Sequence, residues 1–185
     1  MEPMKARTLR GMITSAAMAA LGLTLPMAFH AVGLGSKFAP MLLPLMLNGF
    51  LSPLPWAVVT GAVVPLISAL LTGMPPLYPP VALLLSLEGA VSAGVVAALY
   101  RASRRIWPPL IASILCGRAA SLALTWFAAR WLGLPTAIAS LAALAQGLPG
   151  IALQLAVIPL VVRALATRRG ILFNHGHESE ATLLQ

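Results

Sequence analysis

Apolar residues gather along this chain into six runs, separated by short stretches rich in proline, glycine and basic residues. The runs extend from about Gly11 to Phe29, Pro40 to Leu51, Pro55 to Thr72, Val81 to Tyr100, Pro108 to Leu132 and Ala145 to Ala166. A helix of about 20 apolar residues crosses the hydrocarbon core of a bilayer. The pattern therefore predicts an all-α integral membrane protein, a six-transmembrane-helix bundle over residues 11–166. Residues 1–10 form a basic cytoplasmic N-terminus in this reading, and residues 167–185 a cytoplasmic, disordered tail.

The second run is too short to span unaided, and Pro53 and Pro55 mark a tight turn between it and the third. A five-span alternative fuses the two runs. Charge favours six spans, because six place Lys5, Arg7 and Arg10 on one side with Arg101, Arg104, Arg105, Arg168 and Arg169. Only Lys37 and Arg130 then fall on the other side. Excess Lys and Arg marks the cytoplasmic side, so both termini are expected in the cytoplasm, in the cell membrane. Trp56, Tyr100 and Trp107 fall at the predicted inner boundaries, and Tyr78 and Trp131 at the outer ones. Aromatic anchors of this kind are common at membrane interfaces.

Composition removes the soluble alternative. Of the 185 residues, 59% are hydrophobic and 9% charged, with a mean hydropathy of +0.93. Soluble domains are about 45–50% apolar and about 25% charged. The formal net charge of +8 comes from small basic groups flanking apolar runs, the pattern of topology signals rather than of a nucleic-acid surface. The run Gly11–Phe29 has the form of a signal peptide, but small residues are poorly placed for cleavage around Phe29 and His30. A first transmembrane helix is the better reading. Cys116, the single cysteine, has no disulfide or metal-ligand companion and reads as a small apolar residue.

Against this background two charges stand out. Glu88 is the one carboxylate between the basic N-terminus and the tail, and Arg118 lies on the next run. A charge at the bilayer centre costs roughly 2.5–3.5 kcal/mol on insertion scales, so such groups face protein or a cavity. Helical spacing puts Arg118, Ser121 and Thr125 on one face, Glu88 and Ser92 on another, and Gly147, Gly150 and Gln154 on a third, with Gln146 one position before. The three polar stripes can converge on one cavity in the outer half of the bundle. There Arg118 would anchor an anion, because its guanidinium stays charged and offers a planar fork of donors. The plainer reading is that Glu88 and Arg118 pair and hold two helices together, and Gln154 is equally explained by an interhelical hydrogen bond. Ala16 and Ala20 form an A-x-x-x-A pattern that permits close helix approach, either within the bundle or to a partner.

Catalytic signatures are missing. The chain has no G-x-x-x-x-G-K-[ST], no H-E-x-x-H and no G-x-S-x-G. His30, His175 and His177 lie outside the runs. No enzyme activity and no cofactor are expected.

Several stretches, taken in order, resemble a known family. The run FHAVGLGSKFAPMLLPLMLNGF, then PLISALLTGMPPLYPP, SLEGAVSAGV, CGRAASL and QGLPGIALQLAVIPLVV, is similar to the membrane substrate-binding (S) components of energy-coupling factor (ECF) vitamin transporters. The likeness covers about Ala16 to Leu165. It implies a six-helix bundle that binds a vitamin or precursor from outside. It also implies a separate transmembrane coupling subunit and two ATP-binding subunits, which fits the lack of a nucleotide site here. The family's ligand position maps onto the stripes of Glu88, Arg118 and Gln154, and its docking surface onto Ala16 and Ala20. Leu42 stands where a family histidine would be expected after Pro40 and Met41. A carboxylate ligand such as niacin or pantothenate suits Arg118. Two rivals use the same residues: a self-contained secondary transporter or channel with the pair as an ion relay, and a membrane scaffold that binds no small molecule.

Overall fold

The computed structural model describes residues 2–31, 33, 40–77, 81–132 and 147–182, without the side chains of 2–7, 131–132 and 168–182. Among the described residues six helices form: α1 Glu2–Ala31, α2 Leu42–Leu51, α3 Leu54–Thr72, α4 Val81–Ser103, α5 Trp107–Leu132 and α6 Leu148–Thr182. Five carry a segment long and apolar enough to cross a membrane: Thr8–Ala31, Leu54–Thr72, Val81–Ser103, Trp107–Arg130 and Leu148–Thr167. The protein is thus an all-helical, multi-pass membrane protein. Its outward surface agrees, since Leu70 and Leu71 are each 74% exposed and Ile13, Leu115 and Leu160 are exposed on other helices.

Two helices outrun their apolar segments. The basic residues Lys5, Arg7 and Arg10 of the N-terminal stretch lie in the first turns of α1. Helix α6 continues to Thr182, where a disordered tail was expected from residue 167. Past Pro159 this stretch has no proline to stop the helix.

Helix α2 has ten residues, so it is about 15 Å long, half of a hydrocarbon core about 30 Å thick. It is the centre of the molecule instead. Every residue from Met41 to Phe50 is buried, beneath α1, α3, α4 and α6. On one side Leu43, Met46, Leu47 and Phe50 pack with Val96, Leu110, Ile158 and Val162. On another, Met41, Leu42 and Leu45 pack with Val64, joined by Ala19, Leu23 and Leu85. A helix that is apolar all round is one with no face left for solvent.

Contacts fix the helix directions. Ser52 and Ser15 reach Gly11 and Asn48 respectively, while Gly22 lies against Pro44 and Leu45. Helices α1 and α2 are therefore antiparallel. Gly11 faces Trp56 and Gly22 faces Val64, so α1 and α3 run the same way. Gly61 opposes Gly89 and Gly94 opposes Val58, which makes α3 and α4 antiparallel. Here the backbones nearly touch. A Cβ on Gly61 would stand 2.6 Å from the Gly89 carbonyl carbon, and one on Gly89 would stand 2.7 Å from the Gly61 oxygen. Only glycine allows that approach. At the far end of α3, Gly73 adopts φ 72° and its N–H caps the Ala69 carbonyl, closing the helix before the prolines.

Candidate functional site

The glycine crossing sets the position of Glu88. With Gly89 pressed against α3, the neighbouring Glu88 and the residue one turn on, Ser92, turn toward α5. On α5, Gly117 supplies the space they need, because a Cβ there would strike Ser92 Oγ and come within 3.3 Å of Glu88 Cγ. Across this gap Arg118 Nε meets Glu88 Oε1 at 3.2 Å. The Ser121 hydroxyl lies beside the same carboxylate. Ser92 Oγ donates to the Ser113 carbonyl at 3.1 Å and ties the two helices one turn away. Sequence spacing alone gave two separate polar faces, and the structure brings Glu88, Ser92, Arg118 and Ser121 into one cluster.

The two charges are unequally enclosed. The Glu88 side chain is 5% exposed and that of Arg118 24%. The ion pair uses Nε, while the terminal nitrogens lie over Gly147 at the start of α6. A Cβ on Gly147 would stand 3.0 Å from Nη2 and 3.3 Å from Nη1. Thus α6 meets the guanidinium through a residue with no side chain.

The remaining predicted residues divide. Thr125 is buried, but its hydroxyl donates to the Ser121 carbonyl at 2.7 Å, a bond within its own helix. Gln154 is 2% exposed, and its Nε2 has no hydrogen-bond partner among the described residues. Gln146 lies outside the described residues, as do Lys37 and Tyr78 of the expected outer side. Ala16 and Ala20 are exposed on the outside of α1, while Gly11, Ser15 and Gly22 carry its inward packing. Among the described residues, no group of three His, Cys, Asp or Glu could hold a metal ion.

Gly117 and Ser113 were not singled out by sequence, although both shape the site. Small residues are abundant in all six runs, and nothing in their spacing tells which ones meet a neighbour. Asn48 was also missed. It is fully buried on α2 and accepts from Ser15 Oγ at 3.0 Å. The signal was available, since Asn48 is the sole polar side chain in LLPLMLNGFL.

Comparison with protein-family models, with curated proteins and with solved structures finds no match.

Proposed function

We propose that this chain is the substrate-binding membrane component of an ECF-type transporter. In this reading it is a six-crossing bundle of the cell membrane with both termini in the cytoplasm. It binds a small anionic vitamin or precursor, such as niacin or pantothenate, from outside. A transmembrane coupling subunit and two ATP-binding subunits then drive uptake, and the chain itself catalyses nothing. The observation that carries the reading is the state of Arg118: its Nε is held by a buried carboxylate, its terminal nitrogens lie beside Gly147 and carry no other ion pair among the described residues, and its side chain is 24% exposed. Such a fork is preoriented for a carboxylate ligand. Glu88 then serves as a positioning residue.

Support for six crossings comes from the helix directions, which reverse between α1, α2 and α3. The exposed position of Ala16 and Ala20 is what docking of a coupling subunit would require.

The direct contact between Glu88 and Arg118 also favours a second reading, a clamp between α4 and α5 in a scaffold protein. One experiment separates them. Small molecules released from the detergent-purified protein are identified by mass spectrometry, with Arg118→Ala alongside. A stoichiometric anionic, vitamin-like compound that disappears from a still monodisperse Arg118→Ala protein is the expected result. A native protein that releases nothing, together with an Arg118→Ala variant that aggregates, would leave the clamp standing. Gradient-driven uptake by proteoliposomes of the purified chain alone would instead establish a secondary transporter.

A further inference from the structure

At the other end of the bundle, away from Glu88, the ends of α2 and α4 leave a cavity of about 440 Å³ beside α1. Three arginines line it: Arg10 from α1, and Arg101 and Arg104 from the last turn of α4 and just beyond. Its floor holds Phe50 and Tyr100, whose rings meet edge to face with centroids 4.9 Å apart. The walls are fastened to one another. Arg101 Nη2 donates to the Ser52 carbonyl at 3.1 Å, and Ser52 Oγ donates to the Gly11 carbonyl.

The charge at this cavity is unbalanced. Among the described residues no carboxylate lines it, and Arg118 is the one arginine paired with a carboxylate. Arg101 has its carbonyl, whereas among the described residues no hydrogen bond or ion pair engages the guanidinium groups of Arg10 and Arg104. Arg104 also holds φ at 55°, with its N–H bonded to the Tyr100 carbonyl. Glycine adopts that backbone freely and arginine does so at a cost. The helix end would close more easily with glycine, and arginine there keeps a third guanidinium on the cavity.

We infer that this cavity binds a phosphate-bearing anion, supplied as the headgroup of an anionic phospholipid. Three guanidinium groups around one opening suit the spread charge of a phosphodiester, which accepts from several forks at once. Surroundings select the lipid over a soluble phosphate ester. Leu9, Met12 and Ile13 lie exposed on α1 at the level of the cavity, an apolar surface on which acyl chains can lie. Trp56 packs near Gly11, and Trp107 is exposed at the same end, where interfacial tryptophans sit. Basic pockets between membrane helices recognise anionic headgroups in this way. Nothing in this inference depends on what Arg118 binds.

The test uses the full chain in detergent, titrated with phosphatidylglycerol, with phosphatidylcholine and with soluble glycerol 3-phosphate. Thermal midpoint and lipid retention by native mass spectrometry are read together. Arg104→Gly removes a charge but suits φ 55°, so the variant without lipid should melt no lower than the native protein. Phosphatidylglycerol is expected to raise the native midpoint and to be retained, while phosphatidylcholine does neither. Arg104→Gly should weaken phosphatidylglycerol binding about five-fold, and Arg10→Gln added to it should weaken binding further by a similar factor. Equal effects of the two lipids would overturn the inference, as would native affinity in the double variant. A response to glycerol 3-phosphate as large as that to the lipid would overturn the lipid assignment.

Discussion

The Arg118 guanidinium is held by a carboxylate on one side and bounded by a bare backbone on the other. That second boundary offers a test that changes no charge. Adding a methyl at Gly147 places it 3.0 Å from Nη2, and the end of a flexible side chain will yield before the helix does. Gly147→Ala should therefore leave the melting temperature within a few degrees of native yet lower ligand affinity by about ten-fold, the equivalent of one displaced charge-assisted hydrogen bond. Unchanged affinity in a titration of the released compound would place the ligand away from Arg118. A second polar group invites a different substitution pair. The Asn48 side chain keeps one hydrogen bond among the described residues, from Ser15, and its Nδ2 has none. Ser15→Ala removes the one donor and should cost about 1 kcal/mol. Ser15→Ala with Asn48→Leu removes the whole buried polar set and should recover native stability or exceed it. Thermal melts of the three proteins in one detergent decide, and a double variant weaker than Ser15→Ala alone would show that Asn48 has a partner beyond Ser15. Glu88 and Arg118 were legible in the sequence because a charge in a long apolar run has few places to go. Gly117 and Ser113 were not, since the absence of a side chain and a backbone acceptor leave no mark in a pattern of polar positions.

At the scale of elements, each apolar run falls on one of the six helices found among the described residues, because proline and basic residues punctuate the runs. What they did not convey was rank. The run Pro40–Leu51 looked like a defective span, whereas α2 is the element that four others enclose. A short run and a buried run share one composition, and only the partners on every side distinguish them. The close crossing of α3 and α4 was equally hidden, since Gly61 and Gly89 lie 28 positions apart in sequence. Its energetic weight follows from the atoms an added side chain would meet. At Gly61 these are the backbone atoms of Gly89 and Ala90, which cannot turn aside. At Gly94 the nearest is Val58 Cγ2 at 3.0 Å, which can. Gly61→Val should thus destabilise by about 3 kcal/mol or more, and Gly94→Ala by less than about 1 kcal/mol. Because the same crossing turns Glu88 toward α5, Gly61→Val should also abolish ligand retention in whatever fraction stays folded. Equal melting temperatures for the two variants would refute this ordering.

The whole molecule has an end rich in cations. By helix direction, Lys5, Arg7, Arg10, Arg101, Arg104 and Arg105 belong to one end of the bundle, where α1 begins and α4 finishes. Arg168 and Arg169 sit at the far end of α6, whose Ile158 and Val162 share a cluster with Leu110 near the start of α5. Lipid would see this as one cationic rim, which the proposed topology turns to the cytoplasm. Helix length and helix direction make opposite demands on α2. Length gives five crossings, which would put the termini on opposite sides of the membrane. Direction gives six, because α2 runs against both α1 and α3 and returns the chain to the end where it started. Direction should win, since α2 is enclosed by other helices and needs no contact with the full thickness of lipid. A reporter that is active only in the cytoplasm, fused in turn to each terminus of the intact chain, reads the difference. Activity from both fusions is the expected outcome. Activity from one fusion alone would mean that α2 enters and leaves by the same face, and it would move the Glu88–Arg118 site to a different depth relative to the basic rim.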